Sequence, residues 1–156
     1  MTVALDKISL KELYEIDDYL WLEETINLLK QKRLNDLDLE NLIEELESLG
    51  SEKKYKVKSL LEQIIRHLLL LQYWESEYER NVNHWEAEVT GFRSQLNDRI
   101  TSNFYNYLEN NLSSIYQNAL GYVTRKSRLN NLPQECPYTL EQLLDKNWFP
   151  ENKFQI

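Results

Sequence analysis

Apolar residues are densest in the middle of the chain, between Ser59 and Trp74. Apolar positions there recur at spacings of three and four, the period of a helix that buries one stripe; they are Val57, Leu61, Ile64, Leu68 and Leu71. Leu69 and Leu70 fall outside this stripe, so a second face also needs cover. The pattern predicts a helix that its neighbours enclose in a bundle.

Two apolar stripes with the same period precede this segment. The first predicts a helix that ends near Arg33, with its possible starts capped by Ser9 and by Asp17; its positions are Tyr19, Leu22, Ile26 and Leu29. Trp21 and Leu28 lie on another side of that helix, which leaves its orientation open. The second stripe predicts a helix from the cap Asp38 to Gly50, where a left-handed residue would end it; its positions are Leu39, Leu42, Ile43, Leu46 and Leu49.

The central helix is predicted to begin at Ser51 and to end near Arg80. Its first turns contain the basic run Lys53–Lys58, which the helix dipole does not favour. We expect these lysines to pair with the acidic helix before them, packed antiparallel.

The second half of the chain predicts two long helices and a short one. Asn83 caps a helix whose stripe runs on to Tyr107, and Gly91 within it suggests a close helix crossing. Another helix follows the break at Asn110, and Thr139 caps a short last helix.

The predicted fold is therefore all-α, an antiparallel bundle of about five main helices plus a short C-terminal helix, without a sheet. We expect one domain over residues 1–156, with a loose tail at 1–8 and an extended segment at 130–156 that contains the last helix.

Composition narrows the class of protein. Three Gly and three Pro are too few for a turn-rich β fold, and the net charge of −8 argues against binding nucleic acid or an anionic membrane. The one cysteine, Cys136, excludes an internal disulfide. The chain begins without the features of a signal peptide and its apolar runs are too short to cross a bilayer, so we expect a cytoplasmic protein.

Five segments together resemble a known family, in the order in which it has them: residues 13–21, 37–50, 66–69, Trp85 and residues 136–144. This family is the domain of unknown function 29 (DUF29), which is bacterial and has many cyanobacterial members. The resemblance covers roughly Leu13 to Pro150 and implies a compact all-helical domain without an assigned activity. The family usually has a Lys after its His-Leu-Leu segment, where this chain has Leu70.

Carboxylates and one imidazole form the best candidate for chemistry. Glu44, Glu45 and Glu47 on one predicted helix and His67 on the next are residue types that bind metals between facing helices. However, a di-metal bundle requires a Glu three positions before each histidine, and neither histidine here has one. The residue three positions before His67, for example, is Ile64. A neutral core histidine, hydrogen-bonded to a carboxylate or a carbonyl, is the simpler interpretation.

Two functions remain open. The preferred one is a non-enzymatic helical module that presents a helix face to a protein partner or to a second copy of itself, because no catalytic spacing is found beside abundant helical surface. The alternative is a metal-assisted hydrolase or nuclease that uses Glu45 and His67. No cofactor is expected.

Overall fold

The structure, a computed structural model, describes residues 8–154. These residues contain six α-helices, one short 3-10 turn at Leu34–Asp36 and no strand, which confirms the all-α prediction. The helices are α1 (Leu10–Ile16), α2 (Asp18–Lys30), α3 (Leu39–Tyr73), α4 (Glu75–Arg99), α5 (Ser102–Ser127) and α6 (Leu140–Leu144). Residues 1–7, most of the predicted N-terminal tail, lie outside the described residues. No helix in the described part of the chain is both long and apolar enough to cross a membrane.

The predicted caps are found at four helix starts, one of them at Asp38, whose Oδ1 accepts from Asn41 N at 3.4 Å. Ser9 Oγ accepts from Glu12 N at 3.1 Å, and Asp17 Oδ1 accepts from Leu20 N at 3.0 Å. At Thr139 the capping box is complete, because Gln142 Oε1 also accepts a hydrogen bond from Thr139 N at 3.0 Å. These short polar side chains satisfy amides that a helix start leaves without a partner.

Helix α3 is uninterrupted over 35 residues, so the predicted helix end at Gly50 is wrong. Gly50 does not take the left-handed conformation, and nothing lies within 4 Å of where its Cβ would be. One glycine weakens a helix by only about 1 kcal/mol, which its helix-forming neighbours overcome. The predicted antiparallel pairing of Lys53–Lys58 with the acidic segment is wrong for the same reason, since both belong to one helix.

Two later helix boundaries also differ from the prediction. Helix α4 begins at Glu75 instead of Asn83, directly after the single non-helical residue Trp74. Helix α5 begins at Ser102, where Thr101 Oγ1 accepts from Phe104 N at 3.1 Å, and it continues through Asn110. The helices are separated by one residue, Trp74, and by two residues, Ile100 and Thr101. The spacing of apolar residues does not change across these breaks, so this spacing alone could not locate the helix ends.

The close helix crossing inferred from Gly91 is also wrong. No atom lies within 4 Å of a Cβ built at this glycine.

The chain divides into two compact units, the first ending at Glu52 and the second beginning at Lys53. This boundary lies inside α3, so the single domain predicted for residues 1–156 stays a prediction. The first unit contains α1, α2, the 3-10 turn and residues 39–52 of α3. Two aromatic rings hold these elements together: Tyr14 and Trp21 meet edge to face at 4.9 Å, and Trp21 Nε1 donates to Asp38 Oδ2 at 3.2 Å.

The second unit is a helical bundle around the buried part of α3. Trp74 stacks on Trp85 at 6.0 Å and His67 lies 5.6 Å from Phe92, ring to ring, so α4 runs antiparallel to α3. The core confirms the predicted enclosure of the central helix on more than one face, because nine apolar residues of α3 between Val57 and Leu71 are at most 5% exposed. They are Val57, Leu60, Leu61, Ile64, Ile65, Leu68, Leu69, Leu70 and Leu71.

Candidate functional site: an exposed apolar face

Glu45, one of the predicted site residues, lies in the first unit beside α1. Its Oε1 accepts a hydrogen bond from the Tyr14 hydroxyl at 2.7 Å. This bond stabilises the neutral phenol, and it raises the pKa of Tyr14 to about 12. Glu44 and Glu47 are exposed on the same helix. Glu45 therefore has a structural partner, a tyrosine that the sequence pattern did not indicate.

His67 lies in the second unit, partly buried beside Phe92. Its Nδ1 is 2.7 Å from the carbonyl oxygen of Gln63, one turn earlier in the same helix, and donates to it in the tautomer that carries the proton there. Burial lowers the pKa of His67, because the charged imidazolium loses solvation. These features match those of a neutral core histidine.

Glu45 and His67 lie in different units, and each has a hydrogen-bond partner within its own unit, Tyr14 for Glu45 and the Gln63 carbonyl for His67. Within residues 8–154, no group of three or more His, Cys, Asp or Glu side chains is placed to hold a metal ion. The geometry gives the metal-assisted hydrolase hypothesis no support.

Open clefts lie around the C-terminal segment of the second unit. One has a volume of about 490 Å³ and is lined by Tyr78, Arg80, Asn152 and Phe154, among others. Ser76, Glu75 and Glu79 also line it.

Large exposed apolar side chains are concentrated in the first unit. Ten of the thirteen in the described chain lie there, at 41–66% exposure, and nine of these are aliphatic. They are Ile16, Tyr19, Leu22, Ile26, Leu29, Leu34, Leu39, Ile43, Leu46 and Leu49. The three exposed in the second unit are all tyrosines, whose hydroxyls tolerate water.

Helix α2 buries a different face from the one that carries its apolar stripe. Trp21 and Thr25, both 1% exposed, point inward, and the Thr25 hydroxyl donates to the Trp21 carbonyl at 2.8 Å. The predicted stripe from Tyr19 to Leu29 lies about 100° around the helix from this buried pair, and all four of its residues are exposed. The orientation that the sequence left open is thus the one that buries Trp21.

The first part of α3 likewise turns polar residues inward. Asn41 is 8% exposed and donates to Asp38 Oδ2 at 2.6 Å, while Asp38 also receives the bond from Trp21. Three apolar positions of the stripe are more than half exposed on another side. We call these three, Leu39, Ile43 and Leu46, the apolar row.

An acidic row borders the apolar row along the same helix. Glu40, Glu44 and Glu47 repeat at spacings of four and three, and each follows a residue of the apolar row directly in sequence. All three are exposed. Only Glu40 among them forms an ion pair in the described chain, with Lys11 at 2.8 Å, and both of those side chains are largely in solvent. Such a pair contributes little and leaves the row acidic.

Arg93 is a structural residue that the sequence reasoning missed. It is 1% exposed in α4 and donates to the main-chain carbonyls of Gln142, Leu143 and Trp148 at 3.2, 2.8 and 2.7 Å. Burial lowers its pKa to about 10, which still leaves the guanidinium charged at neutral pH. Its position within the apolar stripe of α4, three residues before Leu96, was the available signal.

Gln72, near the end of α3, forms hydrogen bonds with the segment that follows α5. Its side-chain oxygen accepts from the Tyr138 hydroxyl at 2.8 Å, and its amide donates to the Glu151 carbonyl at 3.1 Å. Its own carbonyl accepts from Lys153 N at 2.8 Å. Burial raises the pKa of Tyr138 well above its ordinary value, so the phenol stays neutral as a donor. Arg93 and Gln72 therefore hold an extended segment in place, a structural role and not a catalytic one.

Comparisons with known proteins agree with this fold. The family model described as domain of unknown function DUF29 matches residues 13–149. No curated protein matches the chain. Among solved structures, the chain is similar to an alpha-helical protein of unknown function from Rhodospirillum rubrum, with a TM-score of 0.62 and 22% identity, covering 86% of this chain and 90% of that one. At this identity the likeness concerns the fold alone.

Proposed function

The chain belongs to the DUF29 family, and from that premise we propose that it is a non-enzymatic, cytosolic interaction module. It acts by presenting the apolar helix faces of its first unit to a protein partner or to a second copy of itself.

The observation that carries this proposal is the contrast in burial between the two units. Among its described residues, the first unit buries two large apolar side chains, Leu13 at 6% and Trp21 at 1% exposure, and leaves ten exposed. In the described part of the second unit the large aliphatic side chains are buried or partly buried, and the exposed large apolar residues are tyrosines. Apolar side chains left in water contribute nothing to folding, so a surface made of them is typical of a binding face.

The energy available from covering this face is substantial. Fully burying one aliphatic side chain removes roughly 60–120 Å² of apolar surface from water. For ten side chains that are about half exposed, this amounts to about 500 Å² in total, distributed over α1, α2, the 3-10 turn and the first part of α3. A partner that covers it would gain the hydrophobic free energy that the first unit leaves unused.

Site-specific photo-cross-linking in the native cells tests this proposal. A photoreactive amino acid replaces Ile43, in the middle of the apolar row, and in a matched variant it replaces Glu109, which is exposed on α5 of the second unit. We expect a discrete cross-linked product from position 43 that is absent from position 109. The same smear or the same lack of product at both positions would contradict the proposal.

A measurement of mass in solution separates the two kinds of partner. Sedimentation of the full chain over a range of concentrations shows whether copies associate. If they do, Leu46→Glu is expected to shift the equilibrium to monomer, because it places a charge on the apolar row.

A further inference from the structure

We propose that the apolar row of α3 receives a basic amphipathic helix of a partner protein, with apolar residues on one face and lysines or arginines beside them. This inference rests on the proposed function and names the chemistry of the partner.

Charge is distributed very unevenly along the chain. Residues 1–52 contain 14 acidic and 5 basic residues, a net charge of −9, while residues 53–156 have a net charge of +1. Residues 39–52, which carry the apolar row, contain five glutamates and no Lys or Arg. A partner approaching this face therefore meets a negative potential, which Lys11 beside Glu40 reduces only in part.

The acidic row adds a geometric element to this charge. Glu40, Glu44 and Glu47 lie parallel to the apolar row, each next to one of its members. In paired helices, the residues beside the apolar seam meet charges of the other helix. A helix seated on the apolar row would bring its own flanking side chains to the acidic row, where lysine or arginine is favoured.

The same arrangement disfavours a second copy. In a symmetric pair the identical patch lies on both subunits, so the acidic row of one copy would face acidic residues of the other. Opposed carboxylates repel, and the net charge of −9 on each first unit adds to that repulsion.

The apolar row supplies part of the area that an interface needs. Its three side chains, each about half exposed, offer about 150 Å² of apolar surface. A specific interface takes about 500 Å² of apolar surface from each partner, so a helix seated on the row also needs contacts beside it. A helix laid against an apolar surface is a common mode of protein recognition.

Two synthetic helical peptides test the proposal against the full-length protein. Both have the same leucines on one face; one carries lysines on the rest of its surface and the other carries glutamines. We expect the lysine peptide to bind about tenfold more tightly by calorimetry, with an affinity that falls as salt is raised. Equal affinity for the two peptides would overturn the assignment of charge.

Charge variants show whether the acidic row is the origin of the preference. Glu40→Gln, Glu44→Gln and Glu47→Gln together should reduce the tenfold preference to about twofold or less. The control changes the same number of charges on exposed glutamates of the second unit and should keep the preference; its positions are Glu79, Glu109 and Glu135. An equal loss of the preference in both variants would mean that the peptide responds only to the net charge of the protein. That result would overturn the apolar row as the binding site of the peptide.

Failure of this inference can be told from failure of the proposed function. If neither peptide binds while cross-linking at position 43 still captures a product, the basic helix is the wrong occupant and the interaction face stands. If that product is a second copy of the chain, the symmetric pair is the occupant, and the basic helix is overturned. If position 43 captures nothing beyond its control, both proposals fail.

Discussion

The guanidinium of Arg93 hydrogen-bonds to three main-chain carbonyls, and none of its hydrogen-bond partners in the described chain is a carboxylate. We expect Arg93→Met to lower the free energy of unfolding by about 3 kcal/mol, because those buried carbonyls would lose their donors. Arg93→Lys should lose nearly as much, since an ammonium cannot reproduce the planar fork. Urea denaturation measures both.

The control for this prediction is Arg99→Met at the exposed end of the same helix. Arg99 donates only to Gln95 O of its own helix, at 3.0 Å. Its loss should change the free energy of unfolding by about 0.5 kcal/mol or less. Equal effects at the two positions would show that the C-terminal segment does not depend on Arg93.

His67 predicts a dependence of stability on acid pH. Burial lowers its pKa in the folded protein below the ordinary value of 6.5. As pH falls below 6.5, the unfolded chain therefore takes up a proton before the folded chain does, and this contribution to stability is lost. Above pH 6.5 the contribution is fully present.

The variant His67→Gln checks this sign. We expect it to lose less stability than the wild type between neutral and mildly acid pH, because glutamine does not titrate. A His67→Gln profile as steep as that of the wild type would mean that other groups cause the acid sensitivity.

At the scale of the elements, Gly50 lies inside α3 with open space around it. Gly50→Ala should raise the free energy of unfolding by roughly 0.5–1 kcal/mol, because alanine loses less backbone entropy in a helix and meets no atom within 4 Å. Thermal unfolding followed by circular dichroism measures this. A destabilising effect would indicate that the chain needs glycine at this position, as the predicted helix end required.

The sequence predicted most of the elements because their signals are local. Caps at Ser9, Asp17 and Thr139 each need only a side chain and an amide three residues away, and all three are observed. The enclosed central helix was also predictable, since a run such as Leu68–Leu71 has apolar residues on every face. Signals of this kind do not depend on which element lies opposite.

The faces of the first unit could not be predicted in the same way. An apolar stripe shows that a helix has a face to cover, but it does not identify what covers it. In α2 the indole of Trp21 and its bond to Asp38 decide the inward direction, and the stripe from Tyr19 to Leu29 is left in water. The prediction that put Glu45 and His67 on facing helices depended on a turn at Gly50, and α3 has no turn there.

At the scale of the whole molecule, the two units differ in how much apolar surface holds each together. The core of the second unit includes 22 buried apolar residues, and the described residues of the first unit include two. We expect amide hydrogens of residues 10–49 to exchange at least about tenfold faster than those of residues 57–71, because local opening exposes little buried surface there. Hydrogen exchange followed by mass spectrometry measures this, and equal protection would show that the first unit is stabilised by contacts other than apolar burial.

Helix α3 has one further consequence for recognition. A separate peptide of residues 39–52 would be too short to hold a helix well in water, since isolated helices below about 12–15 residues are marginal. In the protein this stretch belongs to α3, a helix of 35 residues, so the unfavourable first turn is already formed. The receiving surface is thus preformed before any ligand arrives, and a partner has only its own disorder to overcome on docking.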